Sequence, residues 1–83
     1  MDICKKFGKN INKYRIEKGL SQEELAEYAE LHRTYISAVE RGVRSISLKN
    51  IEKLAEALEI PIQKLFIFEE GDEWKIKSSL ILF

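Results

Sequence analysis

Cysteine, histidine and proline each occur once in this chain of 83 residues. A lone Cys4 excludes an internal disulfide, and Cys4 with His32 falls short of the ligand set of a zinc site, so no metal is expected. No apolar run reaches the ~18–20 residues needed to span a bilayer. No signal peptide opens the chain, and the expected address is a reducing cytoplasm, away from any membrane. There is no glycine-rich phosphate loop and no nucleophile–base pair, so neither a cofactor nor an enzyme activity is expected. What remains is 45% hydrophobic residues with four glycines, the composition of one folded, helical domain near the lower size limit for a self-sufficient core.

Net charge is absent too, with 14 basic and 14 acidic residues. Their distribution is uneven. Residues 1–20 sum to +4, 21–31 to −4, 32–50 to +3, 51–68 to −1 and 69–83 to −2. Positive charge thus gathers in two blocks, and a local basic face suffices to neutralise a few phosphates.

The stretch from Gln22 to Glu40 organises the rest. It holds two short helical patterns joined by a tight turn. Leu25, Ala26 and Ala29 form the inner face of the first; Ile36 and Val39, three apart, form that of the second. Ala26 is small where two helices held near a right angle must cross closely. This is the pattern of a helix-turn-helix, a module that reads double-stranded DNA. With Ile36 inward, a step of about 100° per residue turns Thr34, Ser37, Ala38 and Arg41 outward, flanked by Arg33 and Tyr35. Ser37 and Ala38 let the backbone approach a groove floor. Arg33 suits guanine O6 and N7, Thr34 suits a base edge or thymine methyl, and Tyr35 suits a base, phosphate or sugar. An ordinary solvated helix face is the alternative for any one of these residues.

The first helix covers about residues 2–17, with Ile3, Phe7, Ile11 and Tyr14 inward and Lys5, Lys6, Lys9 and Lys13 outward. Gly8 lies inside it, at a cost of ~1 kcal/mol relative to alanine, explained only by close packing. Cys4 reads as a partly buried filler. Gly19 suits the left-handed position past the helix end. Ser21 and Glu24 make a capping box, and Leu20 with Leu25 a hydrophobic staple. Gln22, in the first turn, can hold a phosphate. Glu30 occupies a turn position that favours glycine and should cost about 1 kcal/mol there unless the turn differs. His32 reads as an N-cap or phosphate contact.

Gly42 closes the reading helix, and Arg44 follows on a loop placed for the minor groove or the DNA backbone. Ser47, or alternatively Ser45, caps a fourth helix that buries Leu48, Ile51, Leu54, Ala55 and Leu58. Lys49 and Asn50 in its first turn are candidate phosphate contacts. Pro61 starts a short fifth helix with Ile62, Leu65 and Phe66. The tail, residues 69–83, forms a hairpin around Gly71 and Asp72 or a helical face of Ile76, Leu80 and Phe83; its apolar end is expected to pack on the core or on a dimer interface.

Residues 7–66 resemble the Cro/repressor-type (XRE-like) helix-turn-helix family. The resemblance rests on Gly19-Leu20-Ser21-Gln22-Glu23-Glu24-Leu25-Ala26, on Ile36-Ser37-Ala38-Val39-Glu40-Arg41-Gly42 and on Leu54-Ala55-Glu56-Ala57-Leu58. Residues 33–44 are most similar to controller proteins of restriction–modification systems. The resemblance implies an all-α, compact five-helix, lambda-repressor-like domain over 1–68 with a short C-terminal extension. It also implies an ion pair between Arg15 and Glu40 that locks the reading helix to the first. Glu30, where the family has glycine, and the longer tail depart from the pattern.

By the same resemblance the chain is a homodimer through Ile62, Leu65, Phe66, Ile67 and Phe68, too many apolar residues for so small a core to bury. The two reading helices would then lie ~34 Å apart on a palindromic operator. One dimer would activate the chain's own operon; a second on an adjacent site would repress it. Glu23, Glu24 and Glu27 form a candidate contact for RNA polymerase, or a plain solvated face. A phage-type repressor and an antitoxin-like protein-interaction module are the rival readings.

Overall fold

The computed structural model describes residues 2–68. Four helices follow in order: α1 (Ile3–Glu17), α2 (Gln22–Ala29), α3 (Arg33–Glu40) and α4 (Leu48–Leu58), then a 3-10 turn (Ile62–Phe66). No strand occurs among the described residues. The expectations for the tail fall on 69–83, outside them.

Helix starts are set by side chains. The Asp2 carboxylate accepts from the Cys4 and Lys5 amides at the head of α1. Ser21 and Glu24 form the reciprocal box at α2, with Glu24 N–H to Ser21 Oγ at 3.0 Å and Ser21 N–H to Glu24 Oε1 at 2.9 Å. Ser47 Oγ accepts from the Asn50 amide at α4. Each satisfies amides that the helix itself leaves unpaired.

The core comes from one face of every helix: Phe7 and Ile11; Leu25, Ala26 and Ala29; Ile36 and Val39; Ile51, Leu54, Ala55 and Leu58; and Leu65 from the 3-10 turn. α1 packs on α3, and α2 packs on both α3 and α4. Gly8 is where α1 meets the end of α3. A β-carbon there would stand 2.2 Å from the Val39 carbonyl oxygen and 2.7 Å from that of Glu40. The helix-propensity cost of Gly8 is thus the condition for backbone contact between α1 and α3.

Three expectations need correction. The fifth helix is a 3-10 turn: its carbonyls at Leu65, and at Ile67 just beyond, are taken by the Asn10 side-chain amide at 2.9 and 3.0 Å, and five residues are too few to sustain an α-helical ladder. Ile3 (48% exposed) and Leu48 (82%) are not core residues. Each lies in the first turn of its helix, where the apolar stripe runs on past the edge of the core. Leu65, placed in the dimer seam by resemblance, is fully buried in the chain's own core, so its side chain is out of a partner's reach.

Glu30 adopts the left-handed conformation (φ 57, ψ 45) that the turn requires. The following Leu31 amide reaches back to the Ala26 carbonyl at 2.8 Å. The turn therefore keeps its geometry and Glu30 bears the strain.

Candidate nucleic-acid interface

α3 is presented by what lies behind it. Ile36 and Val39 are buried beneath, leaving His32, Arg33, Thr34 and Arg41 exposed and Ser37 and Ala38 half-buried. The loop after α3 adds exposed Val43 and Arg44, and the start of α4 adds exposed Lys49. Gly42 (φ +74) lets this loop lie against α1, since a β-carbon would come within 2.6 Å of the Lys5 Cα. One continuous surface thus carries Arg33, Thr34, Arg41, Arg44 and Lys49.

Glu40 fixes the orientation of that surface. Its carboxylate accepts from Arg15 Nε at 2.6 Å and Arg15 Nη2 at 3.1 Å. It also accepts from Asn12 Nδ2 at 3.0 Å and Gln22 Nε2 at 3.1 Å. The Arg15 guanidinium also donates to the Leu20 carbonyl at 2.8 Å. One carboxylate therefore ties the end of α3 to α1 and to the start of α2. The two charged side chains are largely withdrawn from water, at 13% and 5% exposure. Burial pushes the Glu40 carboxyl pKa up. Hydrogen bonds from Arg15, Asn12 and Gln22, with the Arg15 charge, outweigh that and hold it below its ordinary value.

Two residues expected at phosphates serve other groups here. The Gln22 amide is engaged with Glu40. Asn50 Nδ2 donates to the Tyr35 hydroxyl at 3.1 Å, so α4 holds a side chain of the reading helix. Arg44 stacks on the other part of Tyr35, its guanidinium carbon 5.1 Å from the ring centroid. His32 is the N-cap of α3 but makes no capping hydrogen bond with its side chain. Arg33 Nε stands 3.8 Å from Glu23 Oε1, an exposed pair at the rim between α2 and α3. Asn12, which sequence reasoning missed, lies three residues from Arg15 and so on the same helix face. That spacing was the available clue.

Among the described residues no group of histidine, cysteine, aspartate or glutamate converges on a metal position. None of the described helices is long and apolar enough to cross a membrane.

A short helix backed by a second at a tight turn, with a polar, positively charged outer face locked by an ion pair, defines a DNA-reading helix-turn-helix protein. Comparison with known proteins agrees. Residues 11–65 match the helix-turn-helix family, and the chain belongs to it, a family of DNA-binding transcription regulators and not of enzymes. The chain is 48% identical over 63 residues to the control protein C.BamHI of Bacillus amyloliquefaciens, covering 75% of this chain and 78% of that one. It is 46% identical over 65 residues to the control protein C.SmaI of Serratia marcescens, covering 78% and 77%. Among solved structures, the restriction–modification controller protein C.AhdI from Aeromonas hydrophila superposes with a TM-score of 0.75 at 51% identity, covering 76% of this chain and 96% of that one.

Proposed function

We propose that this chain is the controller of a restriction–modification operon and acts in the cytoplasm as a homodimer on a palindromic operator upstream of its own gene. The observation that carries the reading is the α3 face from Arg33 to Arg41, held outward by the Glu40 hub and flanked by Arg44 and Lys49. Arg33, Thr34, Tyr35, Ser37, Ala38 and Arg41 meet base edges. His32, Arg44 and Lys49 meet backbone or minor groove. Gln22 and Asn50 act mainly from behind, through Glu40 and Tyr35.

The dimer seam is built from Ile62, Phe66 and Ile67, which are 40%, 40% and 55% exposed, with half-buried Phe68 at its edge. Leu65 supports it from within. One dimer on the stronger site assists polymerase, with exposed Glu23, Glu24 and Glu27 as the facing charges; a second dimer on the adjacent site represses. The controller names of the relatives support this role, and the exposed apolar residues support the dimer.

A nuclease footprint over the chain's own upstream region, paired with a promoter–reporter titration, tests the proposal. Two adjacent protected sites are expected, with output that rises and then falls as protein increases. A monotonic fall would make the chain a simple repressor. Absence of any protection would remove the operator-binding role.

A further inference from the structure

α1 packs on α3 and on the 3-10 turn, and it meets them from opposite sides. On one side the Gly8 backbone lies against the Val39 and Glu40 carbonyls, while Asn12 and Arg15 hold the Glu40 carboxylate. Asn10 comes two residues after Gly8, about 200° around the helix, and faces the other way. Its side-chain amide donates to the Leu65 carbonyl at 2.9 Å and to the Ile67 carbonyl at 3.0 Å. An asparagine amide carries two N–H donors, and these contacts use both. Phe7, three residues earlier on the same side, meets Phe66 with ring centroids 5.2 Å apart.

What Asn10 and Phe7 hold is the proposed seam. Phe66 and Ile67 are exposed, and the two carbonyls that Asn10 grips bracket Phe66 in the chain. Leu65, fully buried, anchors the same backbone from inside. Seam and reading helix are therefore joined through a single turn of α1, from Phe7 to Ile11, and a tilt of the seam passes to α3. In a two-fold dimer it acts on both reading helices. One base pair moves a half-site ~3.4 Å along the duplex and turns it by ~35°. A seam of fixed angle discriminates between such spacings, and a loose one follows them.

We infer that Asn10 is a positioning residue for the dimer seam, and that through the Leu65 and Ile67 carbonyls it sets the half-site spacing the homodimer accepts. The inference rests on the homodimer–operator reading proposed above.

The test uses the full chain and four duplexes. One is the footprinted segment of its own upstream region; two others have one base pair inserted at, or deleted from, the centre of the repeat; the last carries a single half-site. Wild type should prefer the natural spacing by about 100-fold, the gain lost when two sites cannot be engaged together. Asn10→Ala, and the isosteric Asn10→Asp whose carboxylate lacks both donors, should narrow that preference about tenfold or more, since each neutral hydrogen bond is worth about fivefold. Half-site affinity should stay unchanged, with circular dichroism checking the fold and sedimentation velocity the dimer. Spacing selectivity equal to wild type in both variants overturns the inference. So does an equal loss on all four duplexes, the mark of plain destabilisation, and so do variants monomeric at every concentration, for which Asn10 would set the strength of the seam instead of its angle. Wild type that binds the three spacings alike overturns the palindrome reading, and this inference with it.

Discussion

Asn50, in the first turn of α4, donates its side-chain amide to the Tyr35 hydroxyl of α3 at 3.1 Å. A helix that borders the reading surface through Lys49 thereby also sets the angle of one side chain of α3. Arg44 stacks on the same ring, so reading helix, loop and α4 meet at Tyr35. Asn50→Ala should lower stability by only about 1 kcal/mol, as for a single neutral hydrogen bond. Competition binding should show a larger loss on operator than on random DNA; an equal loss on both would return Asn50 to the role of a phosphate contact.

The Glu40 hub makes a stability and a pH prediction. Glu40→Ala leaves the Arg15, Asn12 and Gln22 donors without their shared acceptor, and removing one partner of a buried pair costs on the order of 3 kcal/mol. Urea denaturation measures this. The Glu40 pKa is lowered by folding from the ordinary 4.5, so the folded state binds the proton less readily than the unfolded chain. Its stabilisation is therefore fully present above about pH 4.5 and is lost as pH falls through the folded value. Glu40→Gln should flatten the acid limb of the stability curve. An unaltered acid limb would place the acid sensitivity elsewhere.

Leu65 and Ile67 are two residues apart and should behave oppositely. Leu65→Ala empties a fully buried site and should cost about 2–5 kcal/mol, visible as a lower melting temperature. Ile67→Asp changes a residue that is 55% exposed and should leave the protomer folded while producing monomers in sedimentation velocity. A dimer that persists in Ile67→Asp would move the seam away from this face.

Arg33 stands at the start of the reading helix with its guanidinium exposed and near Glu23. Arg33→Ala should reduce discrimination between operator and random DNA by about 1–3 kcal/mol, the worth of one bidentate base contact. Equal weakening on both DNAs would assign Arg33 to the backbone.

Patterns of apolar spacing and capping were enough to place α1 to α4 and the helix-turn-helix. These are local properties: Ser21 with Glu24, Ser47 with Asn50, and the stripes at Leu25–Ala29 and Ile36–Val39 act within a turn or two of chain. The same spacing misplaced Ile3 and Leu48 because periodicity gives a direction and not the extent of the core. For Gly8 it offered only close packing; the neighbour that requires it is the end of α3, at the Val39 and Glu40 carbonyls.

The sequence by itself determined where α1 to α4 form and which face of α3 is polar, because backbone capping and side-chain period are decided by near neighbours. Only the tertiary structure decided that Gln22 and Asn12 converge on Glu40, that Asn50 steadies Tyr35, and that Leu65 lies inside the protomer while Ile67 lies outside. Those outcomes depend on where residues 15 to 55 positions apart in the chain come to rest against each other, a matter of packing that no local pattern encodes.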